Sequence, residues 1–465
     1  MSRIARLFVV LPSISLPFFG SPLRAEAPKL TPVVEARFRL ESTRTPVARA
    51  GLDRDYAVQH ARVRLGLDLA WRRLTLHGAL QGTALTGVPR NAGFGIGPSY
   101  LAANQGDTSP EDLSLAEFSA RYQNAGLDIT AGRQRFADGV ELLPGIAYLD
   151  DVQRSKLGER LLGNWDWPAA GRRWDGVNAA YRRGGAHVSG FYLRPLQGGV
   201  NVQHAFRSFD SLEVYGATLV SPYAAWLPKS AFRLQAIHYD DERPAARAAA
   251  GGTLSLDTLA VSAIVGDDDD ALVLWLATQS GDWGRSRQEA QAWFAAAGHR
   301  FLTTRGQPAV YLGYERASGD GGGEAHGTFF NLLPTNHKFY GSMDYFAFAN
   351  LRDAYLESSW KPSAAWRLQA GLHSFGLIES GDAWYSGSGA FDDRALGFTA
   401  RRPPGGRFTS RDLGRELDLD AAWIFHPGWE LRGGGGLFHG GDAAREALPA
   451  ESAGHWLYLE LAFRR

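Results

Sequence analysis

Arginines set two residues apart are the side chains of this chain with chemistry to offer. Arg37 and Arg39 form one such pair, and Arg62 and Arg64 another. Arg182, Arg233, Arg367 and Arg432 take comparable places further along. A guanidinium is permanently charged and presents a flat fork of donors that matches a carboxylate or phosphate edge. A row of them along a water-filled passage favours anions, while a ring of mixed sign is less selective. Carboxylates share these faces: Glu35, Glu41, Asp68, Asp128, Glu416, Asp418, Asp420, Glu430 and Glu460. The same residues can therefore do one of two things. They can pass an anion from one arginine to the next, or pair internally and stiffen the wall. Arg121 and Glu117 share a face with Leu113 and Leu115, so their side of the wall is ambiguous.

The elements that must position these residues are long strands. From Tyr56 to Leu85, Val63, Leu65, Leu67 and Leu69 alternate with Arg62, Arg64, Gly66 and Asp68; after a short turn, Leu74, Leu76 and Leu80 alternate with polar or small residues. A period of two places successive side chains on opposite faces. Runs of about 12 residues exceed the usual strand of a soluble sandwich and match a tilted crossing of a bilayer. The unit recurs to the C-terminus, giving about 18 strands with short and long connections in alternation. The expected fold is all-β, an antiparallel transmembrane β-barrel of about 18 strands with short periplasmic turns and long extracellular loops. In lipid a sheet must close on itself, because no backbone group can be left unpaired. On this reading Leu65, Leu256 and Leu419 face lipid, and the alternate residues face a lumen wide enough for water. Trp71, Trp360, Trp366, Trp423 and Trp429 sit near short turns and form an aromatic girdle.

Acidic and basic residues are equal in number, 49 each, so charge gives no reason to expect nucleic-acid binding. There is no cysteine. Arg3 and Arg6 precede an apolar run from Leu7 to Phe19, followed by Ala25 and Ala27. This pattern reads as a signal peptide, residues 1–25, leaving 26–465 as the barrel. No cofactor or metal is expected.

Three segments carry a family resemblance. They are GRQRFADGVELLPG from Gly132, followed by RRWDGV from Arg172; FNLLPTNHKFYGSMDYFAFANL from Phe330; and ELDLDAAWIFHPGWELRGGGGLF near the end. Together these resemble the alginate export family of outer-membrane proteins. The resemblance implies an 18-stranded barrel and passive export of a polyanionic exopolysaccharide through an arginine-rich constriction. Carried over by motif, it makes Arg133, Arg154, Arg172, Arg173 and Asp175 candidates for that constriction and its loops, with His337 and Lys338 in the second loop. Strand parity alone would point Arg133 outward. The two arginines after Phe463 depart from the family's usual aromatic ending. The implied partners are a polyuronate, outer-membrane lipid and lipopolysaccharide, and periplasmic polysaccharide synthesis and modification proteins.

Other motifs weigh less. Gly93, Gly95 and Gly97 lack the flanking strand and helix of a nucleotide fingerprint and read as a loop. Asp267–Asp270 lacks the spacing of a calcium loop and reads as a solvated turn. His326 and His337 have no nucleophile fixed by spacing. The chain is therefore read as a channel rather than an enzyme, either an exporter of an anionic polysaccharide or a general or small-anion porin. A loop-borne hydrolase and a soluble periplasmic β protein are the remaining alternatives.

Overall fold

The structure, a computed structural model, describes residues 27–209, 211–221 and 230–465. The expected signal peptide lies outside them. The strands are β1 (Lys29–Arg44), β2 (Asp55–Trp71), β3 (Leu74–Thr86), β4 (Glu111–Asn124), β5 (Leu127–Gln134), β6 (Trp174–Arg183), β7 (Ala186–Pro195), β8 (Leu212–Ser221), β9 (Ser230–Asp241) and β10 (Leu254–Gly266). They continue as β11 (Asp270–Trp283), β12 (Ser286–Arg300), β13 (Ala309–Ala317), β14 (Leu351–Ser363), β15 (Trp366–Leu377), β16 (Trp384–Ser386), β17 (Thr399–Arg401), β18 (Asp412–His426), β19 (Trp429–Gly440) and β20 (Ala453–Arg464). Eighteen of them form one sheet, with β16 and β17 pairing separately inside a long loop. β1 pairs with β2 on one side and β20 on the other, so the sheet has no free edge.

The alternation is realised in the wall. Leu65 is 56 % exposed on the outside, whereas Arg64 is 1 % exposed on the inside. The five girdle tryptophans are all exposed at the short-turn end, and Trp366 stacks on Trp423 at 5.7 Å. An irregularity at Ala116 settles the ambiguous parity of β4. Ala79 faces Glu117 while Leu80 faces Leu115, so one extra residue flips the strand. Leu113 and Leu115 point out before it and Phe118 and Tyr122 after it, leaving Glu117 and Arg121 inside.

Leu256 corrects the expectation that it faces lipid: it is fully buried and turned inward. The reason is what fills the long-loop half of the barrel. The connections 135–173, 318–350 and 378–411 fold into the lumen and bring Leu161, Leu162, Leu332 and Leu333 into one apolar core with Leu256. Inward positions there meet protein rather than water, so many are apolar, and polar ones such as Gln279 and Gln288 are buried and hydrogen-bonded to the loops. Among the described residues four short α-helices lie in loops: α1 (Ile96–Ala103), α2 (Ala147–Lys156), α3 (Pro244–Ala250) and α4 (Asp442–Ala447). Gly95 precedes α1 at φ +78°, so a helix does follow that glycine run, inside a loop.

Candidate functional site

The lumen narrows from one chamber to another. The larger, about 560 Å3, reaches the short-turn end, where Glu35, Phe463 and Arg464 line it. The smaller, about 170 Å3, lies among the long loops and is bounded by Trp165, Asn336, Phe346 and Phe398. A neck of about 20 Å3 shares Trp167, Ser342 and Trp456 with the first chamber and Gly95, Ile96 and Asp344 with the second. That volume holds about one water.

The neighbouring strands β1 and β2 build the cationic wall, because alternate residues on each point inward. Arg37 donates to the carbonyls of Asp166 (2.9 Å) and Pro168 (2.6 Å), residues of the inward 135–173 connection. Arg39 donates to Glu460 (2.7 Å), Glu41 (3.0 Å) and the Trp167 carbonyl (3.0 Å). Arg62 pairs with Asp166 at 3.5 Å, and Arg64 pairs with Glu35 and Gln81. Arg173 donates to Glu117 (2.9 Å) and Asp166 (3.2 Å). Arg135 donates to Glu117 (2.9 Å) and Glu35 (3.3 Å) and stays partly open to the chamber. Burial works against ionisation of Asp166, but Arg173, Arg62, Arg135 and Arg64 outweigh it and hold the carboxyl well below its usual range. Arg37, Arg39, Arg62 and Arg135 line the chamber and are paired at the same time. Basic and acidic residues line the chamber in equal number, seven of each. Glu357 from β14 and Asp418 and Asp420 from β18 supply much of the acidic side.

His337 and Lys338 reach the same place from the 318–350 connection. Lys338 donates to the carbonyls of Arg154 and Gly158, both at 2.9 Å. The His337 imidazole lies parallel to the Trp167 indole with centroids 3.8 Å apart, and its Nδ1 contacts Asp344 at 3.0 Å.

The other candidates fall elsewhere. Arg133 and Asp175 form a bidentate pair (2.9 and 3.0 Å) on the outer face, in line with lipid-facing Val177, so neither reaches the constriction. Parity, not the motif, placed Arg133 correctly. Arg172 is buried within the loop plug. Its guanidinium donates to the carbonyls of Leu333 (2.9 Å) and Ser388 (2.8 Å), tying three connections together. Burial lowers its pKa to about 9, against the opposing pull of Tyr239 and Glu159. Arg173 backs the cationic wall from a buried position and does not line the chamber. Arg154 is exposed on α2, and its guanidinium has no ion pair among the described residues. Arg233 grips Glu141 away from the chamber (3.0 and 2.6 Å). Arg121 pairs with Asp128 and Arg367 with Glu430 near the short turns. Sequence reasoning missed Arg135, Asp166 and Trp167. Arg135 sat inside the GRQRF motif, but irregular loops carry no period that could mark it.

A closed eighteen-stranded sheet, apolar outside and charged inside, with loops folded into its lumen, is a β-barrel channel of the bacterial outer membrane. The chain belongs to the alginate export family, whose profile matches residues 33–457. Among solved structures, it resembles OccK9 (OpdG) of Pseudomonas aeruginosa, at 15 % identity and a TM-score of 0.57, over 93 % of this chain and 98 % of that one. OccK3 (OpdO) of the same organism gives 13 %, 0.55, 93 % and 95 %. OccAB1 of Acinetobacter baumannii gives 11 %, 0.55, 94 % and 96 %. At these identities the likeness shows the shared fold. No curated protein sequence matches the chain.

Proposed function

We propose that this channel passes an anionic polysaccharide such as alginate outward by diffusion, without a catalytic step, along the wall formed by Arg37, Arg39, Arg62 and Arg135. The observation that carries this reading is that four guanidiniums from two adjacent strands and one inward loop face a single chamber. Each is already shared with carboxylates, so an arriving carboxylate exchanges for an internal one and leaves again. Conduction requires such weak, replaceable contacts. The short turns and both chain ends would lie in the periplasm, beside polysaccharide synthesis and modification proteins, and residues 1–25 would direct export. The long loops would lie outside, among lipopolysaccharide.

The equal number of acidic and basic residues around the chamber favours a second reading, a general or small-anion porin. Single-channel recording decides between them. Current block by micromolar polyuronate, weakened by salt, supports export. A steady current indifferent to the polymer supports the porin.

A further inference from the structure

The neck between the chambers is closed by ring contacts. Trp167 is sandwiched: the Arg39 guanidinium lies 3.5 Å from its ring centroid, and the His337 imidazole lies parallel to it at 3.8 Å and 11°. Trp456 and Tyr458 meet the indole edge-on at 5.8 and 5.2 Å. An imidazole at that distance occupies the space that a flat-faced six-membered ring would need. His337 is held there by one side-chain hydrogen bond, to Asp344. Two buried polar atoms of residues lining the neck have no hydrogen-bond partner among the described residues, Asp344 Oδ1 and the Tyr345 hydroxyl. Buried polar groups are nearly always satisfied, so an unpartnered pair calls for an explanation. Asp344 also holds φ at +58°, an unusual conformation for a non-glycine residue.

A pyranose answers all three features. One face of it is C–H and stacks on an indole, and its rim carries hydroxyls that donate to a carboxylate and accept from a phenol. A carboxylate acceptor disfavours an anion at this point, so the neck reads hydroxyls while the arginine wall reads charge. We infer that Trp167, Asp344 and Tyr345 form a sugar-ring subsite at the neck, over which His337 is a displaceable lid. An entering ring takes the place of the imidazole on Trp167, and the freed Asp344 carboxylate accepts the ring's hydroxyls. The neck then widens only for solutes that supply these contacts. This rests on the channel reading above and adds the residues that select within it.

The test uses purified full-length barrel in planar bilayers with a neutral oligosaccharide, maltohexaose, and a polyethylene glycol of equal size as control. Expected are current interruptions by the sugar and not by the glycol. Trp167→Ala should weaken the sugar block at least tenfold, and Trp167→Phe should restore part of it. Asp344→Asn, which tolerates the same backbone, and Tyr345→Phe should each weaken it several-fold. His337→Ala should raise the frequency of sugar binding. Heat-modifiable migration on gels confirms that each variant is folded. Equal block by sugar and glycol, or full sugar block in folded Trp167→Ala, overturns the inference. Polyuronate block with no response to neutral sugar overturns it while leaving the proposed export standing. No current from the native barrel overturns both.

Discussion

The Arg233 guanidinium of β9 closes on both oxygens of Glu141, at 3.0 and 2.6 Å, and so fastens the 135–173 connection to the wall on the side away from the cationic strands. Both side chains are largely buried. Removing one member of a buried pair leaves the other charge uncompensated, a loss of about 3–5 kcal/mol in comparable pairs. Arg233→Ala should therefore release the first part of this connection while the barrel stays closed. Hydrogen exchange should accelerate around residues 138–142 and remain slow in β1 and β2.

Asp138, 3.9 Å from the same guanidinium, gives this fastening a pH dependence. Burial raises its pKa from an ordinary 3.8 to about 7, against the pull of Arg233 and with Glu141 adding to the rise. The docked loop thus holds a proton that the released loop has already given up between pH 4 and 7. Stability of the docked form is greatest below that window and falls as pH rises through it. Exchange protection of the 135–173 connection should be higher at pH 5 than at pH 8, and Asp138→Asn should flatten the difference. An unchanged difference in that variant would assign the effect to another group.

The parts of this molecule legible in its sequence are those where one face meets lipid. Val63, Leu65 and Leu67 alternate with arginines because a bilayer enforces the period over the whole strand. The same rule misplaced Leu256, since at its level the inside is filled by the loops and holds an apolar core of its own. It could not place Arg121 either, because one residue inserted at Ala116 shifts the phase and leaves no mark in composition. Arg37, Arg39, Arg62 and Arg64 were readable from parity. Asp166 and Trp167, which complete the site, stand on irregular backbone whose path is set by tertiary contacts.

The outward position of Arg133 and Asp175 supplies an internal control. Neither borders the chamber, and they satisfy each other on the barrel exterior. Converting both to alanine should leave conductance and ion preference unchanged. The pair is half-buried at the barrel surface and joined to the wall by few other contacts, so heat-modifiability on gels should shift little. A clear change in ion preference would contradict this placement.

Arg135 is the arginine of the cationic wall on which ion preference should depend most directly. Its side chain is 40 % exposed, whereas that of Arg173, bound to the same Glu117, is fully buried. Arg135 can be reversed without stripping Glu117 of partners, since Arg173 donates to it at 2.9 Å and Arg64 lies at 3.8 Å. In water a unit charge roughly 8 Å from the path changes an ion's energy by about 0.5 kcal/mol. Arg135→Glu changes two units, about 1 kcal/mol against an anion and as much in favour of a cation, so at low salt the anion-to-cation permeability ratio should fall about thirtyfold, read as a shift of reversal potential in a salt gradient. High salt should shrink the shift by screening. The same substitution should weaken polyuronate block while sparing block by a neutral sugar, because Arg135 lines the larger chamber and not the neck. Loss of both together would mean that charge and hydroxyl recognition are one site rather than two in series.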